Sequence, residues 1–169
     1  MYRRILVPID GSATSTRGLT EAIKLAKLTG ARIKVVHVVD EISFATSMEA
    51  AGTYSGEVAE LLRESGEKIL QHAKSRVAKN GLRVDAELFD SFAGRVCDLV
   101  VDAARAWRAD LIVLGTHGRT GLGRLLMGSI AEQVVRKAHC PVLTIKAPFP
   151  EAVPARKTVA EPALQGTAV

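Results

Sequence analysis

Strand-type and helix-type hydrophobic patterns take turns along this chain, and no other feature constrains its fold as much. RILVPI (4–9) is a short apolar run, and SATSTRGLTEAIKLAKLTG follows with Leu19, Ala22, Ile23 and Ala26 at helical spacing and Gly30 as a stop. RIKVVHVV (32–39) is β-branched and strand-like. After a weakly patterned loop over 40–55, a long helix is predicted from about Gly56 to Asn80, with Leu62, Ile69, Ala73 and Val77 on one side and Gly81 ending it. RVDAELF (83–89) alternates in polarity, as a strand near a sheet edge does. Val96, Leu99, Val100, Ala103 and Trp107 mark another amphipathic helix, and ADLIVLG (109–115) reads as a central strand buried on both faces. A last helix over Ser129–Ala138 and a last strand over 140–146 complete the pattern. Strictly alternating strands and helices imply an α/β fold: an open, doubly wound, five-stranded parallel sheet with helices on both faces.

Beyond Lys146 the character changes. The segment 147–169 holds four prolines in 23 residues and no apolar period, so it is expected to be a mobile tail, with a docking segment as the alternative. Residues 1–146 form the expected domain. No apolar run approaches the ~20 residues of a membrane span, and MYRRILVPID lacks the length of a secretory core, so the expected location is the cytoplasm. Cys97 and Cys140 are far apart, with no ligand at zinc-site spacing, and read as small buried apolar residues. The net charge of +5 permits an anionic partner, but no run of five like charges and no nucleic-acid reading motif is present. Nucleic acid is therefore not an expected partner. A small polyanion fits modest basicity better.

Five glycines, at 115, 118, 121, 123 and 128, crowd the segment between the buried fourth strand and the last helix. Glycine costs conformational entropy in an ordinary connection, so a backbone this free suggests close approach to something. In open α/β sheets ligands bind beyond the carboxyl ends of the strands, where the strand order reverses. The Pro8-Ile9-Asp10-Gly11-Ser12 turn, the glycine segment and the start of the last helix converge there if the first and fourth strands are neighbours. Ser129 followed by Glu132 reads as a capping box, and Arg136 and Lys137 suit the negative end of the helix. First-turn amides make an anion site, Gly128 leaves them open, and Arg119 and Arg124 add positive charge. Two other phosphate motifs are absent: GxxxxGK[ST] does not occur, and the turn after the first strand reads DGSATS rather than GxGxxG.

Gly115-x-x-Gly118, nine residues, then Gly128-Ser129 resembles the G-2x-G-9x-G-[S/T] signature of the ATP-binding branch of the universal stress protein family. ILVPIDGS (5–12), VVHVVD (35–40) and CPVLTIK (140–146) are similar to that family as well, over about residues 1–146. The resemblance implies a Rossmann-like, adenine nucleotide alpha hydrolase-like sheet ordered 3-2-1-4-5, with ATP across the crevice between the first and fourth strands. It implies homodimers in which Val142 to Lys146 pairs with its twin. By position, Pro8 and Asp10 would lie beside ribose and adenine, with Val38 offering its backbone to the base. Gly115, Thr116, His117, Gly118, Arg119, Thr120 and Gly121 would wrap ribose and phosphates, with Gly128, Ser129 and Ile130 closing on phosphate oxygens. Asp10 is the candidate ligand for Mg²⁺.

These features favour a binding protein, a nucleotide-dependent sensor or regulator in stress response, over an enzyme. Slow Mg²⁺-dependent ATP hydrolysis and a dimeric scaffold with an incidental nucleotide site are the alternatives. A protein partner is compatible with the sensor and the scaffold readings. His117 invites the role of general base, yet no neighbouring carboxylate would tune it. His37 is expected in the core or a pocket wall, His72 in solvent, and His139 at a helix end. Ser129, His117 and Asp10 could be drawn as a triad, but no G-x-S-x-G elbow supports one. No catalytic residue is assigned.

Overall fold

The computed structural model describes residues 1–40, 56–91, 94–116 and 128–146. Five strands, β1 (Arg4–Pro8), β2 (Arg32–Val39), β3 (Val84–Asp90), β4 (Leu111–Gly115) and β5 (Val142–Ile145), alternate with four helices, α1 (Ala13–Thr29), α2 (Gly56–Ala78), α3 (Val96–Ala106) and α4 (Ser129–Lys137). The strands form one sheet in the order β3-β2-β1-β4-β5, and every pairing is parallel. The alternation in the sequence thus yields the expected architecture, with β3 at one edge. The 41–55 loop and the tail from 147 lie outside the described residues.

Successive side chains of a strand point to opposite faces, and the two cores follow that rule. Ile5 and Val7 of β1, Ile33 and Val35 of β2, and Leu111 and Val113 of β4 pack with Leu19, Ala22, Ile23 and Ala26 of α1 and Leu70, Ala73 and Val77 of α2. The other face sets Leu6, Val36, Ile112 and Leu114 against Cys97, Val100, Val101 and Ala104 of α3 and Ala131 and Val134 of α4. Fully burying such aliphatic side chains is worth roughly 1.5–3 kcal/mol each, so the two-faced central strands carry much of the stability.

The helix ends obey local chemistry. Ser12 caps α1, its Oγ accepting the Ser15 N–H at 3.1 Å, and Gly30 closes it at φ 71°, a left-handed position that costs glycine nothing. Helix α1 lies close to β4 through two glycines. A Cβ at Gly18 would stand 3.6 Å from the Gly115 nitrogen, and one at Gly115 would stand 2.9 Å from Thr14 Cγ2.

Candidate functional site

Strands β1 and β4 are adjacent while their following helices cover opposite faces, so a crevice opens beyond their carboxyl ends. The β1 side of that crevice is a tight turn. Ile9 N–H donates to Val36 O at 2.9 Å, and the Ile9 carbonyl lies 2.6 Å from His37 Nδ1. Because a carbonyl only accepts, Nδ1 carries the proton in this contact. Asp10 follows, half-buried, with its Oδ1 accepting the Ser12 N–H at 2.9 Å, while Gly11 takes φ 81°. Ser15 Oγ donates to the Ser12 carbonyl at 3.0 Å, tying the turn to the first turn of α1.

The β4 side begins at Gly115 and Thr116. Thr116 N–H donates to Ile145 O at 2.9 Å, and Gly128 N–H donates to Thr116 O at 2.7 Å. The last bond joins the two flanks of the glycine segment across eleven intervening residues, so α4 starts beside the end of β4. Thr116 is buried, whereas Ser129 and Ile130 are exposed at the mouth. Val38 lies on β2 two residues past Val36, the register partner of Pro8, and therefore beyond the end of β1. The fold brings Pro8, Asp10, Val38, Gly115, Thr116, Gly128, Ser129 and Ile130 to this one end of the sheet. His117, Gly118, Arg119, Thr120 and Gly121, with Gly123 and Arg124, lie outside the described residues.

One reading of the sequence is corrected here. Ser129 does not cap α4 and there is no capping box. The cap is Gly128, which has no side chain to bond, and Glu132 falls one position too late. Glu132 N–H makes the first helical bond, to Gly128 O at 3.0 Å, and its carboxylate pairs with Arg136 at 2.9 Å. The N-cap residue therefore offers the first-turn amides of α4 no side-chain acceptor. At Gly115 a Cβ would meet protein. Such a Cβ would stand 3.0 Å from Thr14 C and 3.1 Å from Ser15 N, in the first turn of α1.

The sequence reading also missed contributors. Ser12-x-x-Ser15 was a visible capping pattern after β1, but nothing local announced that His37 would hold the Ile9 carbonyl across 28 positions. His37 is 5% exposed, as a core or pocket-wall residue should be, and Gly66 of α2 lies against its ring. Cys97 is buried, its Sγ donating to Gln133 Oε1 at 3.1 Å, and Cys140 is partly covered, burial pushing its thiol pKa up. His72 and His139 are exposed. Among the described residues no group of three or more His, Cys, Asp or Glu could hold a metal ion, and no helix is long and apolar enough to cross a membrane.

This arrangement matches known proteins. The model of the Universal stress protein family matches residues 1–146. The chain belongs to this family. It is 38% identical over 151 residues to universal stress protein MJ0531 of Methanocaldococcus jannaschii, covering 89% of this chain and 86% of the relative. It is 30% identical to universal stress protein YxiE of Bacillus subtilis, over 86% of this chain and all of that one. The solved universal stress protein from Archaeoglobus fulgidus in complex with dAMP superposes with a TM-score of 0.63 at 27% identity, covering 86% of this chain and 98% of the other. As a universal stress protein, the chain has the family's five-stranded parallel sheet ordered 3-2-1-4-5.

Proposed function

We propose that this universal stress protein binds ATP, with Mg²⁺, in the crevice between β1 and β4, and works as a dimeric, nucleotide-dependent regulator rather than a committed enzyme. The observation that carries this reading is the start of α4. Its N-cap is a glycine, which has no side chain to bond the first-turn amides, and it is tied by the Gly128–Thr116 bond to the ends of β4 and β5. Open amides at a helix N-terminus favour phosphate oxygens. A relative whose solved structure holds dAMP supports an adenine nucleotide as the ligand class.

On this reading Asp10 and Pro8 flank the ribose, Val38 meets the base, and Gly128, Ser129 and Ile130 receive phosphate oxygens. The residues 115–121, Gly115 to Gly121, complete the wrap around the sugar and phosphates. Asp10 is a single carboxylate, which suits Mg²⁺, since that ion keeps several waters and shares its site with phosphates. The edge position of β5, with Leu143, Val135 and Ile130 each more than one-third exposed, supports pairing with a second copy through Val142 to Lys146.

Thermal melts with and without MgATP test the site. A ligand at 100 times its Kd adds about 2.7 kcal/mol of stability, and the rise in Tm should vanish in Gly128→Val while the fold is kept. An unchanged Tm in the wild type, together with no nucleotide released from the purified protein, would refute the reading. Phosphorus NMR of the complex over hours separates a regulator from a slow ATPase, because only the latter consumes ATP. Sedimentation of the full chain, with and without Leu143→Glu, tests the dimer.

A further inference from the structure

The positive charge that looks dispersed along the sequence is gathered by the topology. All strands of a parallel sheet start at one end, and residues just before them become neighbours. Arg32 N–H donates to Arg3 O at 2.9 Å, Ile33 N–H to Arg83 O at 3.0 Å and Asp110 N–H to Arg4 O at 3.0 Å. Arg83, Arg32 and the Arg3–Arg4 pair therefore stand in a row across β3, β2 and β1. The crossover helices run back to the same end, where Lys27, Arg76 and Arg105 lie in the last turns of α1, α2 and α3, Lys79 follows α2, and Arg108 turns the chain into β4. These nine cations stand with three acids, Asp85, Asp102 and Asp110.

Lys24, Arg63 and Lys68 on the helix flanks and Arg136 and Lys137 in the last turn of α4 each pair with a carboxylate, whereas Arg17 and Lys74 form no ion pair among the described residues. At the strand starts Arg32 pairs with Asp85, Arg105 lies 3.8 Å from Asp102, and Arg4 donates to the Trp107 carbonyl. Asp110 spends its carboxylate on the backbone N–H groups of Arg3 and Arg4. Arg3, Lys27, Lys79, Arg83 and Arg108 are exposed, and among the described residues none of the five forms an ion pair. Arg108 also sits at φ 54°, a left-handed position after a helix where glycine or asparagine is favoured.

The same end displays Leu28, in the last turn of α1 and 77% exposed, more than any other large apolar side chain in a described helix or strand. It offers no ring for base stacking: Tyr2 packs on one core, and Trp107 packs on the other while its Nε1–H donates to Asp85 at 3.1 Å. Unpaired arginines that fit phosphates, beside one protruding aliphatic side chain, match a charged lipid surface better than a nucleic acid strand. We propose that the strand-start end of this protein docks peripherally on an anionic bilayer. Arg3, Arg83, Arg108, Lys27 and Lys79 meet the headgroup phosphates and Leu28 enters the interface. The β1/β4 crevice, at the opposite end of the sheet, then faces the aqueous phase.

Cosedimentation of the full chain with vesicles of phosphatidylcholine, with and without a minor fraction of phosphatidylglycerol, tests the proposal. The wild type should bind the anionic vesicles only, and high salt should release it. Replacing Arg3, Arg83 and Arg108 together by Gln should weaken binding about a hundredfold, at about fivefold per charge. A second variant, Lys27→Gln with Lys79→Gln, lies on helix ends and should lose about twentyfold, which guards against misfolding of the first. Equal sedimentation with both vesicle types, or both variants binding as the wild type does, would overturn the proposal. So would binding of a labelled single-stranded RNA by a wild type that ignores the vesicles, which would make this end a nucleic-acid surface.

Discussion

Gly115→Ala separates the packing role of a signature glycine from its role toward a ligand. The backbone of Gly115 is not left-handed, so alanine meets no conformational barrier there. The cost is steric. The new methyl would stand 2.9 Å from Thr14 Cγ2, 3.0 Å from Thr14 C and 3.1 Å from Ser15 N. The first contact is a side-chain methyl, but Thr14 is only 8% exposed and has little room to turn. The other two are backbone, so relief requires α1 to move while its Ser12 cap and its apolar face hold it against the sheet. Overpacking of this kind costs about 1–3 kcal/mol. Alanine returns about 0.4–1 kcal/mol by stiffening the unfolded chain. The expected net loss is about 1–2 kcal/mol, or about 3–6 °C in Tm for a domain of this size. Urea and thermal unfolding without any nucleotide measure it. Thr14→Ser removes the nearest methyl and should recover part of the loss, giving a coupling above about 0.5 kcal/mol in a double-mutant cycle. An apo Gly115→Ala protein as stable as the wild type would refute the steric argument and return this glycine to the ligand.

Other expectations follow from neighbouring contacts. His37→Phe leaves the Ile9 carbonyl without its imidazole donor and should destabilise by about 1–3 kcal/mol, whereas Asn, which keeps a donor at that position, should lose less; chemical denaturation ranks them. Calorimetry on the same pair should show weaker nucleotide binding for Phe than for Asn, because Ile9 leads directly into Asp10. Gly66→Ala would stabilise an open helix by about 1 kcal/mol, but here the Cβ would stand 2.8 Å from His37 Cδ2 and 3.1 Å from Val39 Cγ2, so unfolding should show a loss instead. The Lys137 ammonium, hydrogen-bonded at 2.6 Å, holds the Asp98 carboxyl below its ordinary pKa. A depressed carboxylate pKa adds stability above the unfolded value and loses it as pH falls through the folded one, so the Tm advantage of wild type over Asp98→Asn should be present at neutral pH and disappear below about pH 4.

What the sequence determined by itself is what local physics determines. Periodicity marked the five strands and four helices of the described residues, because the choice between a period of two and one of about 3.6 depends on neighbours a few residues away. Boundaries moved by a residue or two: the helix read to Asn80 ends at Ala78, and RILVPI leaves Ile9 outside β1. Gly30 at φ 71° and Gly81 at φ 74° were legible as helix stops for the same local reason. The spaced glycines and the ILVPIDGS, VVHVVD and CPVLTIK segments also carried the family, and with it the strand order. The tertiary structure decided the rest, because parallel crossovers bring together residues that a local window never sees at once. Ser129 looked like a cap, but the N-cap of α4 is Gly128, which its bond to Thr116 holds beside the end of β4. The packing of α1 on β4 placed Thr14 and Ser15 against Gly115, a hundred positions away. The arginines seemed scattered because one or more elements separate each from the next in the chain. Five strands starting at a single end put them side by side.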